Sequence, residues 1–195
     1  MEERRITEKE SLELITRMIR ETQDNVARYG AYPLLIWGYT TVLIAAGIWY
    51  LFMQTGDWRV NFFWFVLPVI AVPLTLYFSR KNGKRGTKNY IDRITTQIWT
   101  VFGIVAFCLS CLAFVIPIDI LFFISLMMGM ASTLSGLVSK HKPLSTAGII
   151  GIILSFSILF VGGMDKLLVF AAIFVVMMII PGHILNKEMK QCLKN

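Results

Sequence analysis

Residues 120–139 read ILFFISLMMGMASTLSGLVS, twenty residues without one Asp, Glu, Lys or Arg. At 1.5 Å rise per residue such a helix is about 30 Å long, the thickness of a bilayer's hydrocarbon core. A helix on the surface of a water-soluble protein keeps a charged face, and this one has none on any side. Five further charge-free runs share the property: 33–54, 60–79, 94–118, 143–164 and 167–186. The expected fold is therefore all-α, a polytopic membrane protein with six transmembrane helices. Little of the 195 residues remains for a soluble domain of ordinary size.

The charged residues between the runs set the expected orientation. Of 19 Lys and Arg, 17 fall before residue 33, between runs two and three, between runs four and five, or after run six. Only Arg59 and Lys166 occupy the alternate connections. The positive-inside rule then places both termini in the cytoplasm of a multi-pass cell-membrane protein. Tyr32, Trp37, Tyr77 and Trp99 near the inner ends fit the aromatic belt of a bilayer interface, as do Trp49, Tyr50, Trp58 and Trp64 near the outer ones. The net charge of +7 needs no nucleic-acid partner, because insertion and anionic lipid account for the basic residues. In the most basic connection, Arg80 to Arg93, only Tyr90 could stack on a base, so nucleic acid is not expected. No early run has the short apolar core and cleavage site of a signal peptide.

The first thirty residues differ in kind. Thr7 followed by Glu10 is a capping-box pattern, opening an expected cytoplasmic amphipathic helix that runs to about Arg28. Leu12, Ile15, Ile19 and Val26 recur at helical spacing, with Glu8, Glu13, Arg17, Glu21 and Asp24 on the other faces. Gly30 and Pro33 are expected to end this helix and begin the first membrane span. The division follows: 1–30 a cytoplasmic helix, 31–187 the membrane domain, 188–195 a short basic tail. Lipid-surface helices are rich in Lys and Arg, whereas this segment is slightly acidic. Its apolar stripe therefore marks Leu12, Ile15, Ile19 and Val26 as candidate contacts for a protein partner.

Small residues spaced by four, Ala131-Ser135-Ser139 and Ala147-Gly151-Ser155, point to close packing of helices four and five as a hairpin. Pro68 and Pro73 in helix two and Pro181 in helix six should kink those helices.

Chemistry-bearing residues are few. No Asp, Glu, Lys or Arg lies at mid-depth, which argues against an ion-coupled transporter. Cys108 and Cys111 form a Cys-x-x-Cys one turn apart in helix three. Such a pair resembles the vitamin K epoxide reductase family and would imply thiol redox chemistry, but the second, outer-loop cysteine pair of that family has no counterpart here. Four zinc ligands are not available, and a two-histidine haem would need His141 on a helix, so no metal or cofactor is expected. Ser135-Gly136 in helix four, His183 in helix six and Trp58-Arg59 in the first outer loop together resemble a rhomboid intramembrane protease, which would make Ser135 and His183 a catalytic pair. Thr133 and Asn186 stand where that family has glycines, and the first outer loop is much shorter. Cys192 does not begin a prenylation box, because Lys194 is not aliphatic.

Through its N-terminal helix, Ile36-Trp37-Gly38 and Ile180-Pro181-Gly182, the whole chain resembles small uncharacterised bacterial six-helix integral membrane proteins, a resemblance that carries no activity and no site. The expected function is non-enzymatic: a membrane protein whose cytoplasmic face engages a protein, either its own copy in a homo-oligomer or a cytoplasmic regulatory protein. A small-solute permease or channel built on the kinked helices is the alternative.

Overall fold

The computed structural model describes residues 8–82, 90–113 and 115–192, and among these there are helices and turns but no strand. Six helical segments are long and apolar enough to cross a membrane: Ala31–Thr55, Trp58–Phe78, Arg93–Leu112, Ile120–Val138, Lys142–Phe160 and Gly163–Glu188. An even number of crossings puts both ends of the chain on one side of a multi-pass membrane protein.

Helix α1 spans Glu8–Thr55, 48 residues, roughly 72 Å of unbroken helix. The break expected at Gly30 and Pro33 does not occur, and Pro33 lies inside α1. Proline removes one backbone donor and crowds the carbonyl four residues back, which favours a break. Here the neighbouring residues override it. Ala31 and Leu34 are buried in the core, and Leu34 and Leu35 lie against Gly182 of the last span, fixing the chain on both sides of the proline.

The second span opens as a 3-10 helix, Trp58–Phe65, whose N-cap Asp57 accepts from the Arg59 N–H at 2.9 Å. It continues as α2, Val66–Asn82, with Pro68 in the first turn, where the helix type changes, and Pro73 inside. Helix α3, Tyr90–Leu112, begins ahead of its apolar run but ends short of the expected Ile118. Pro117 disfavours helical geometry at Ile116, and the flanking Val115, Ile116 and Ile118 are β-branched. The chain turns instead, the Val115 and Ile116 N–H groups both donating to the Leu112 carbonyl at 2.9 Å.

Helices α4, Ile120–Val138, and α5, Lys142–Ser155, form a tight hairpin. The link is a Schellman motif: the His141 N–H donates to the Gly136 carbonyl at 2.8 Å and the Lys140 N–H to the Leu137 carbonyl at 3.2 Å. Lys140 takes the left-handed conformation this motif requires, with φ of 54°. Glycine adopts it without the Cβ penalty, so Lys140→Gly should stabilise the fold by about 1 kcal/mol. A reversible unfolding titration in mixed micelles measures it; a loss of stability would mean that the lysine side chain, not the turn, matters there.

Ala131, Ser135, Ser139, Ala147, Gly151 and Ser155 are all buried, as their spacing suggests. The closest approach of the hairpin uses other positions, Gly129, Thr133 and Gly136 on α4 against Ser145, Gly148 and Ile152 on α5. Gly151 faces Met177 of the last span instead.

After a 3-10 turn at Phe156–Phe160 and another at Gly163–Asp165, the sixth span runs as α6, Lys166–Phe174, a π-helical turn at Val175–Ile179, and α7, Ile180–Cys192. Pro181 explains the π turn. It cannot donate to the Met177 carbonyl and its ring crowds that oxygen, so the ladder widens just before it, and the Ile180 N–H donates to Val175 five residues back.

The sixth span and α1 make the centre of the bundle, with the α4–α5 hairpin against it. By contrast α2 rests mainly on α1 and α3 mainly on α4, and almost none of the described side chains of either is fully buried.

Candidate functional site

Three polar clusters join elements of this bundle, two at its ends and one within the spans. At the end holding the termini, His141 is the N-cap of α5, its Nδ1 accepting from the Leu144 N–H at 3.3 Å while Nε2 lies 3.0 Å from Glu188 Oε2. With Nδ1 acting as acceptor, Nε2–H donates to the Glu188 side chain. At the opposite end Lys166 donates to Asp119, and Trp49 Nε1 donates to Asp165 Oδ1 at 3.1 Å. Those bonds join the far part of α1 to the connection between spans five and six, and that connection to the one between spans three and four.

The third cluster lies within the spans, on the seam between α1 and α7. Tyr39 Oη and His183 Nε2 are 2.8 Å apart, with the rings edge to face at 80°. Both side chains are exposed on the outside of the bundle, Tyr39 by 45%. Close packing beneath brings them together. A Cβ at Gly38 would meet Met178 and Ile179 at 3.1 and 2.9 Å, and a Cβ at Gly182 would meet Leu35 at 2.9 Å. Thus Ile36-Trp37-Gly38 and Ile180-Pro181-Gly182, separate in sequence, each place a glycine against the residues just ahead of the other.

Ser135 is only 2% exposed, and its hydroxyl has no hydrogen-bond partner among the described residues. Ser135 and His183 are therefore not hydrogen-bonded: the first is inside, the second outside with its Nε2 on Tyr39. Ser125 and Ser132 share the condition of Ser135, forming a line of buried hydroxyls along α4. Cys108 and Cys111 are free thiols exposed on α3, without a bond between them. Among the described residues no three His, Cys, Asp or Glu side chains gather to hold a metal ion.

Of the candidate partner contacts, Leu12 is 65% exposed on α1. Ile15, Ile19 and Val26 belong to the same helix, but their side chains lie outside those described. The Tyr39–His183 pair and the cap made by His141 were not anticipated from sequence. The available signals were a tyrosine several residues inside an apolar run, where the belt rule gives it no reason to be, and a histidine three residues before Leu144 at a helix start.

No protein-family model matches the chain, and no curated protein or solved structure is detectably similar to it. The resemblances drawn from its motifs rest on those motifs alone.

Proposed function

We propose that this is a non-enzymatic integral membrane protein that engages a protein partner, a second copy or a regulatory protein, through the N-terminal arm of α1. The observation that carries the proposal is the continuity of α1 through Pro33. An arm running from Glu8 to Gly30 extends roughly 35 Å from the first span without a hinge, carrying an apolar stripe that includes the exposed Leu12. Ordering a long helix outside the bilayer has an entropic cost, and covering that stripe with another protein offsets it. The near-neutral charge of the segment favours protein over anionic lipid. In this reading the arm, the connections around residues 83–89 and 140, and the C-terminal tail are cytoplasmic, and the membrane is the cell membrane.

Ile15→Asp with Ile19→Asp tests it, because all six spans begin after these positions. Site-directed crosslinking from Arg17 and Arg20 in membranes should capture a partner or a second copy in the natural chain. The double variant should lose that crosslink while inserting normally, with a reporter after Asn195 still reading cytoplasmic. Absence of any crosslink in the natural chain, or one indifferent to both aspartates, would remove the proposal, as would an external reading from a reporter at Gly83.

A further inference from the structure

We infer that the outer face of the α1–α7 seam is a binding site for one anionic glycerophospholipid. The Tyr39–His183 hydrogen bond cannot satisfy both groups. If the tyrosine donates, His183 Nδ1–H is left over; if His183 Nε2–H donates, the tyrosine O–H is left over. In either tautomer one donor is left over on an exposed side chain, and no described residue accepts it. Toward lipid an unpaired donor is costly, so the seam calls for an acceptor oxygen from outside the protein.

The surroundings specify which kind. On α7, Lys187 and Lys190 follow His183 at four and seven residues, the same helical face, and both are exposed. Along the helix axis they stand about 6 and 10 Å nearer the membrane surface than His183. Glu188 lies between them and hydrogen-bonds His141, so the two lysines and this carboxylate together keep one net positive charge. In the other direction the seam turns apolar. Ile180 precedes His183 by three residues, Leu43 follows Tyr39 by four, and both are exposed. The seam therefore shows three levels in order from the surface: two ammonium groups, a spare hydrogen-bond donor, and an aliphatic floor. A phospholipid shows the matching order of phosphate, ester carbonyl and acyl chain. Neutral quinones would match the lower two levels only and leave the lysines unused.

The test uses the full chain in nanodiscs of phosphatidylcholine with phosphatidylglycerol, followed by native mass spectrometry of lipids retained after mild delipidation. The natural chain should keep one phosphatidylglycerol in preference to phosphatidylcholine. Lys187→Gln with Lys190→Gln should reduce that preference roughly 30-fold, at about 1 kcal/mol per basic residue. Lys140→Gln with Lys142→Gln, at the same end of the bundle but on the α4–α5 hairpin rather than on the α7 face that carries His183, should leave it within about twofold of the natural value. An ether-linked phosphatidylglycerol lacks the carbonyls and should be retained less well than the ester-linked lipid. Tyr39→Phe with His183→Phe should abolish this ester-over-ether difference while keeping the charge preference. Circular dichroism melts confirm that each variant is folded. Equal loss from both lysine pairs would mean a diffuse basic surface and overturn the site. No ester-over-ether difference, or displacement of the lipid by a lipid-soluble quinone, would overturn it as well.

Discussion

Phe170→Ala should destabilise the protein by about 3–5 kcal/mol, the cost of a cavity where a large aromatic side chain was enclosed. Phe170 is 2% exposed at the middle of the core. Its ring meets Trp64 edge to face, centroids 5.5 Å apart, and lies 4.5 Å from Phe174. Trp64 belongs to the 3-10 segment that opens the second span, in which Val60 alone among the described residues is fully buried. The loss should therefore appear twice: as a lower midpoint in a mixed-micelle unfolding titration, and as faster hydrogen exchange at residues 58–65 than at the α4–α5 hairpin. Uniform exchange changes would mean that Trp64 is held by something other than this ring.

The second large effect concerns two glycines of the same residue type and opposite setting. A Cβ at Gly136 would meet the Ser145 backbone, with its Cα at 2.8 Å, and backbone atoms cannot move aside as a flexible side chain can. Gly136→Ala should lower stability by about 1–3 kcal/mol, by forcing α4 and α5 apart, and leucine there should do worse. Gly103 on α3 has nothing within 4 Å of a built Cβ. Gly103→Ala should gain up to about 1 kcal/mol from helix propensity alone. Opposite signs at the two positions, read in the same titration, check the packing; equal losses would mean that α3 is covered by something.

The spans were legible in the sequence because charge cannot be placed at mid-bilayer cheaply, so charge-free runs of about twenty residues have few other uses. What eluded it were features decided between elements. Pro33 reads locally as a helix start, yet Ala31 and Leu34 are held by a span about 150 residues later. The stop at Leu112 rather than Ile118 depended on weighing Pro117 against an apolar run, and hydropathy alone favours the longer helix. Small residues marked the α4–α5 hairpin correctly, but the spacing of four selected Ala131, Ser135 and Ser139, whereas Gly129 and Gly136, seven apart, carry the closest approach. By motif His183 resembles a partner for Ser135; its neighbour is Tyr39, 144 residues away, a contact that no short motif encodes.

An unbroken α1 is also a lever. It is gripped closely at Gly38, wedged against Met178 and Ile179 at the π turn, with 30 residues of helix on one side and 17 on the other. A tilt of about 5° about that fulcrum moves the Glu8 end by roughly 4 Å and the Thr55 end by roughly 2 Å in the opposite sense. Trp49, on the Thr55 side of that fulcrum, holds Asp165, whose neighbour Lys166 holds Asp119. Force applied to the arm on one side of the bilayer would thus be felt as strain in those bonds on the other, with no ligand crossing and no helix unwinding.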